Sequence, residues 1–239
     1  MRFWPFNYIA GVLETMGTDW RFFPLGDNGI LVVIGDRITE DHNRITLGLH
    51  RFLEDNEIPG ITESAPAYCS LAVFYDPLSS DYNGIVTALQ DIRPKISASS
   101  GTDAKIIEVP VVYGGEFGPD LEFVAWQTGL SGQEVISLHS QNTYIVGMLG
   151  FTPGFPYLTG LHPKLTVPRK AVPRLKIPIG SVGIAGRQTG IYPVASPGGW
   201  QIIGRTPLQI FLPHRSEPFL FRAGDQVVFK AVAKNEFNV

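Results

Sequence analysis

The chain has 239 residues, 44% of them hydrophobic, with a formal net charge of -3 and a single cysteine, Cys69. This length suits one large domain or two of ordinary size, and the apolar content supplies a core for each half. The acidic balance argues against a nucleic-acid partner, one cysteine forbids an internal disulfide, and no apolar run reaches the ~18 residues of a membrane span.

Residues 1–20 read as an N-terminal extension. Their apolar run is broken by Pro5 and Asn7 and lacks a small-residue cleavage site, so they fit a secretion signal poorly. The expectation is a soluble, cytoplasmic protein with no membrane partner. From there the elements alternate. The spacing predicts a strand over 21–35 with an early turn at 26–29, and the unbroken run 30–34 predicts burial on both faces. Asp36 or Thr39 is placed to cap a helix through about Leu53, on which Ile45, Leu49, Phe52 and Leu53 recur at helical spacing. Strands follow at 61–68 and 70–75, and Asp81 opens a second helix that must end before Pro94. The pattern β-α-β-β-α describes a small sheet covered by helices.

The small polar run 97–103, SASSGTD, is the expected linker between an N-terminal α/β domain at 21–97 and a second domain at 104–239. Residues 105–113 predict a strand in which Pro110 implies an edge or a bulge. A helix is expected over 119–128. Ser131 and Glu134 form a capping-box pattern for another. Strands are predicted at 142–149, 208–212 and 226–231.

Residues 150–206 are rich in glycine and proline, yet their spacers are Phe155, Tyr157, Ile184, Tyr192, Trp200 and Ile203. A disordered linker lacks such residues. Short strands joined by tight turns remain, the pattern of a closed or sandwiched β structure. The fold class expected is therefore α+β, a small α/β layer followed by a β-rich domain.

The common signatures of stand-alone chemistry are missing. There is no phosphate-binding G-x-x-x-x-G-K-[ST], no H-E-x-x-H, no C-x-x-C and no G-x-S-x-G, and the histidines are scattered, so no metal site is expected. The glycines at 180, 183 and 186 lack nucleotide-binding spacing and read more simply as sheet turns. These absences favour a component of a larger catalytic assembly.

Two long stretches, 113–161 and 173–207, closely resemble the allophanate hydrolase subunit 1 family, which shares its module with the carboxyltransferase region of urea carboxylase. The match runs in order from about Pro24 to Asp225. It departs at Ile210-Phe211-Leu212-Pro213, where the family pattern has an aspartate in place of Leu212, so no role of that aspartate carries over. The resemblance implies a small N-terminal α/β domain and a cyclophilin-like β-barrel. It further implies a non-autonomous subunit of an ATP-dependent 5-oxoprolinase, working with A-type and C-type subunits to turn 5-oxoproline into glutamate. A regulator that binds a sensor histidine kinase, or a carboxyltransferase-like subunit acting on a urea-type substrate, is the alternative.

Such chemistry wants cations on a phosphoryl group and on a carboxylate. Arg187, in the Gly-bounded turn 186–190, is expected in a catalytic role together with His139, which reads equally as an acid–base group and as a helix-end histidine bonded to a carbonyl. Gln188, Thr189, Tyr192, Arg205 and Thr206 are the candidate substrate-binding residues, with Arg205 alternatively paired to Asp225 or Glu122. Arg187 and Arg205 are expected at one mouth of the barrel, with His139 beneath it.

Overall fold

The computed structural model describes residues 20–96 and 104–238. The predicted linker at 97–103 and nearly all of the predicted extension lie outside the described residues. Trp20 is the exception. It is buried in the first core rather than belonging to an extension.

The N-terminal layer is a four-stranded antiparallel sheet carrying two helices. Its strands are β1 (Arg21–Pro24), β2 (Gly29–Val33), β3 (Ile61–Pro66) and β4 (Ser70–Tyr75), in the order β1-β2-β4-β3. The turn at 26–29 divides the long predicted strand into a hairpin. Burial along β2 alternates: Ile30 and Val32 are fully buried, while Leu31 and Val33 are only partly so. One face is core, not both. Thr39 caps helix α1 (Glu40–Asp55), and Asp81 caps helix α2 (Tyr82–Ile92) through a bond from the Gly84 N–H. Each cap oxygen satisfies an amide that the first helical turn leaves without a partner.

The rest of the chain closes into a seven-stranded barrel in the order β10-β7-β6-β13-β5-β12-β9. The strands are β5 (Ile106–Tyr113), β6 (Thr143–Leu149), β7 (Pro156–Thr159), β9 (Ser181–Ala185), β10 (Gln188–Ile191), β12 (Gln201–Arg205) and β13 (Gln226–Ala231). A two-stranded flap, β8 (Arg174–Ile177) with β11 (Ser196–Gly198), stands outside it. Helices α3 (Leu121–Thr128) and α4 (Gly132–Ser140) precede β6, and Ser131 with Glu134 forms the predicted capping box on α4. β5 is inside the closed sheet, so Pro110 does not mark an edge strand. It is tolerated because β12 pairs only with Val112 and Tyr113, leaving Pro110 beyond the reach of that neighbour. Residues 208–212 form no strand, only an isolated bridge between Phe211 and Phe219. The run 181–185 is a fully buried strand, and the carbonyl of Thr206 lies where a Cβ on Gly180 would stand, so these glycines serve sheet packing. Among the described residues no helix is long and apolar enough to cross a membrane.

The two bodies have separate cores and meet at a defined contact. Asn43 of α1 is buried and donates to the carbonyls of Tyr68 (3.1 Å) and Gly147 (3.0 Å). The Tyr68 ring packs against Gly147 of β6, where an added Cβ would fall 2.4 Å from Cε1. Glycine is required there for close approach, and the β6–β7 register shifts between Val146 and Met148.

Candidate functional site

His139 sits in the last turn of α4, fully buried within the barrel. The Thr189 hydroxyl donates to the Gly183 carbonyl (2.9 Å), so its oxygen accepts from His139 Nε2–H at 2.9 Å. His139 Nδ1 then accepts from the Tyr113 hydroxyl at 2.8 Å. This chain of bonds fixes one neutral tautomer. Tyr144 and Phe229 rings pack around the imidazole, and burial pulls its pKa down to about 3. An acid–base catalyst needs a reacting proton within reach. Here both nitrogens are already engaged and the ring touches no solvent, so the geometry does not provide the expected acid–base role. The alternative partner, a helix-end carbonyl, is replaced by Tyr113 and Thr189.

Arg187 lies in the opposite situation. Ala185 pairs with Gln188, which leaves Gly186-Arg187 as a two-residue hairpin turn between β9 and β10. Gly186 has φ of 57°, the left-handed conformation that such a turn asks of its first central residue. Arg187 is thereby lifted off the sheet, exposed, with no hydrogen bond or ion pair to any described residue. With the half-buried Gln188 it lines a cleft of about 790 Å³ between the barrel rim and α1. Opposite stand Thr39, Glu40, Asn43, Arg44, Leu47 and Arg51, and the barrel side adds Ile145, Thr159, Leu161 and Gln226.

The lining holds the guanidinium groups of Arg44, Arg51 and Arg187 against the single carboxylate of Glu40, and no histidine, lysine or cysteine. Three guanidinium groups against one carboxylate equip it to hold an anion. Among the described residues no cluster of histidine, cysteine, aspartate and glutamate can hold a metal ion.

The remaining predicted site residues lie elsewhere. Arg205 pairs with Ser181 at the start of β9, whereas the Arg187 turn follows the end of that strand. Four residue steps of strand, roughly 13 Å, separate the two ends, so the arginines do not share a mouth. Arg205 instead donates to the Ile179 carbonyl (2.8 Å) and lies over the Phe237 ring, with neither Asp225 nor Glu122 as partner. Thr206 is buried and accepts from the Leu208 N–H. Tyr192 is buried in a cluster with Phe155 and Trp200, and burial raises its pKa to about 12.

Sequence reasoning missed several residues. Asp120 is buried and binds Arg174 through two contacts of 2.7 Å, Lys170 at 3.1 Å and the Ile202 N–H at 2.7 Å. Burial alone would raise its pKa, but these donors outweigh it and hold the carboxyl below its ordinary range. The cluster ties the β8–β11 flap to the start of α3. Arg44 and Arg51 were also missed. Their spacing of seven places them on one face of α1 with Leu47, a signal visible in the sequence.

Comparison with known proteins places this architecture. The chain is 43% identical over 233 residues to the B subunit of 5-oxoprolinase from Bacillus subtilis, covering 93% of this chain and 97% of that protein. It is 42% identical over 209 residues to the B subunit of 5-oxoprolinase from Escherichia coli O157:H7, covering 87% of this chain and 94% of that protein. The crystal structure of TTHA0988 superposes with a TM-score of 0.76 at 38% identity, over 86% of this chain but only 40% of that one. The family model for the carboxyltransferase domain, subdomains C and D, matches residues 20–221, and the chain belongs to that family.

Proposed function

We propose that the chain is the B-type subunit of an ATP-dependent 5-oxoprolinase, inactive alone and completed by A-type and C-type subunits. The observation that carries this reading is the 43% identity spread over 97% of the Bacillus subtilis protein, which leaves no large part of that relative unmatched. The cleft supports it. A lactam carbonyl is a poor electrophile, and its activation by phosphorylation places negative charge beside the substrate carboxylate. In this reading Arg187 holds such an anion, and the cleft lining has no histidine, lysine or cysteine. The remaining chemistry then falls to the partner subunits.

The test is reconstitution. The purified chain, its A-type and C-type partners and the three together are assayed for ATP hydrolysis dependent on 5-oxoproline, with glutamate as the product measured. Turnover is expected only in the complete mixture. Turnover by the single chain would refute the dependence on partners. A complete, co-eluting mixture without 5-oxoproline turnover would refute the assignment to this enzyme and turn attention to kinase binding or a urea-type substrate.

A further inference from the structure

We propose that the cleft between α1 and the barrel rim is an anion site of the single chain that takes a phosphorylated ligand of up to nucleotide size, held from opposite walls by Arg44 and Arg187. The proposal shares with the function above the reading of Arg187 as an anion-holding residue, and does not depend on the identity of the complex.

Size and charge lead to it. A cavity of about 790 Å³ lies in the range of small-molecule sites, roughly 300–1,000 Å³, and exceeds what a simple carboxylate would fill. Arg44 and Arg51 lie about 10 Å apart along one face of α1, since each residue rises 1.5 Å. Arg187 faces them from the β9–β10 turn. Cations spread over that distance suit an anion with several charged oxygens, and the guanidinium fork matches phosphate oxygens in pairs. Leu47 and Ile145 also line the cleft and offer apolar surface to an uncharged part of the ligand.

Arg187 and Arg44 are available. Arg187 has no partner among the described residues, and Arg44 meets only Asp41, at 3.5 Å, with both side chains at least half exposed. Exposed pairs of this kind are weak, so a phosphate can displace the carboxylate. The walls are also held in place. The buried Asn43 amide joins α1 to the Gly147 carbonyl of the barrel, so the backbones that carry the opposing arginines are joined before any ligand arrives.

The experiment is calorimetric titration of the isolated full-length chain with ATP, inorganic phosphate and glutamate at low ionic strength. Melting curves check the fold of Arg44→Gln and Arg187→Gln. ATP is expected to bind saturably in the millimolar range or tighter, with glutamate at least tenfold weaker. Each variant should melt normally and lose about tenfold in ATP affinity, the loss of one charge-assisted contact. Absence of saturable ATP binding would overturn the site. So would unchanged affinity in both variants, inorganic phosphate binding as tightly as ATP, or glutamate matching ATP. A reconstituted complex that turns over 5-oxoproline while the single chain binds no ATP would overturn this site and leave the assignment to 5-oxoprolinase standing.

Discussion

Thr189 and Arg187 belong to one β-hairpin, yet they serve two different regions. Thr189 faces the barrel interior, where the Tyr113 hydroxyl, the His139 imidazole, the Thr189 hydroxyl and the Gly183 carbonyl form one hydrogen-bonded chain. Arg187, at the turn of the same hairpin, meets no described partner and opens on the cleft. A polar group buried and fully paired contributes to stability and has nothing left to offer a ligand. A cation held in a concave surface without a partner has its bonding capacity in reserve. The residue type alone does not separate these cases. The bonding does.

The strongest way to break that contrast is to remove the buried ring. His139→Ala leaves a cavity and strips partners from Tyr113 and Thr189, and should cost about 3–5 kcal/mol. For a chain of this size that is a fall in Tm of roughly 6–20 °C. A melting curve close to wild type would show that the network is not a structural element.

Acid sharpens the contrast next. The folded pKa of His139 is depressed from its ordinary 6.5 to about 3 by burial, so the unfolded chain binds the extra proton between those values. Stability from the neutral ring is complete above pH 6.5 and is lost as pH falls toward 3, on the order of a few kcal/mol. Asp120, also depressed, adds its loss only below the ordinary carboxylate value of 3.8. Denaturant midpoints followed downward from pH 7 should therefore begin to fall above pH 5. His139→Gln, less stable at pH 7, should show a flatter upper limb. Equal slopes in both proteins would assign the acid loss to other groups.

Much of the fold was legible because its signals are local. Thr39, Asp81 and the Ser131–Glu134 box stand within three residues of the amides they satisfy, so the helix starts could be read directly. Gly186 announced a turn for the same reason. The errors came where a remote neighbour decides. Pro110 implied an edge because its residue type forbids a ladder bond, but only the register shows that β12 stops at Val112. Residues 208–212 have strand composition, but among the described residues they pair only through the short stretch around Phe219. The exposed turn that carries Arg187 was legible from its glycine. The bonding of His139 was not legible, because its partners come from 26 and 50 residues away. Arg44 and Arg51 were visible as one helix face, but nothing local says that this face meets the barrel.

The central claim is that the cleft, rather than the buried histidine, is the functional region. Arg187→Lys tests it most directly, because lysine keeps the charge and loses the paired hydrogen bonds. The variant is assembled with its A-type and C-type partners, and melting, co-elution and 5-oxoproline-dependent ATP turnover are measured on one preparation. Stability should change by less than about 0.5 kcal/mol, as for an exposed residue without partners. Assembly should be intact. Turnover should drop roughly tenfold to hundredfold, equivalent to about 1.5–3 kcal/mol for a charge-assisted bond. Wild-type turnover in a stable, fully assembled Arg187→Lys complex would contradict the account.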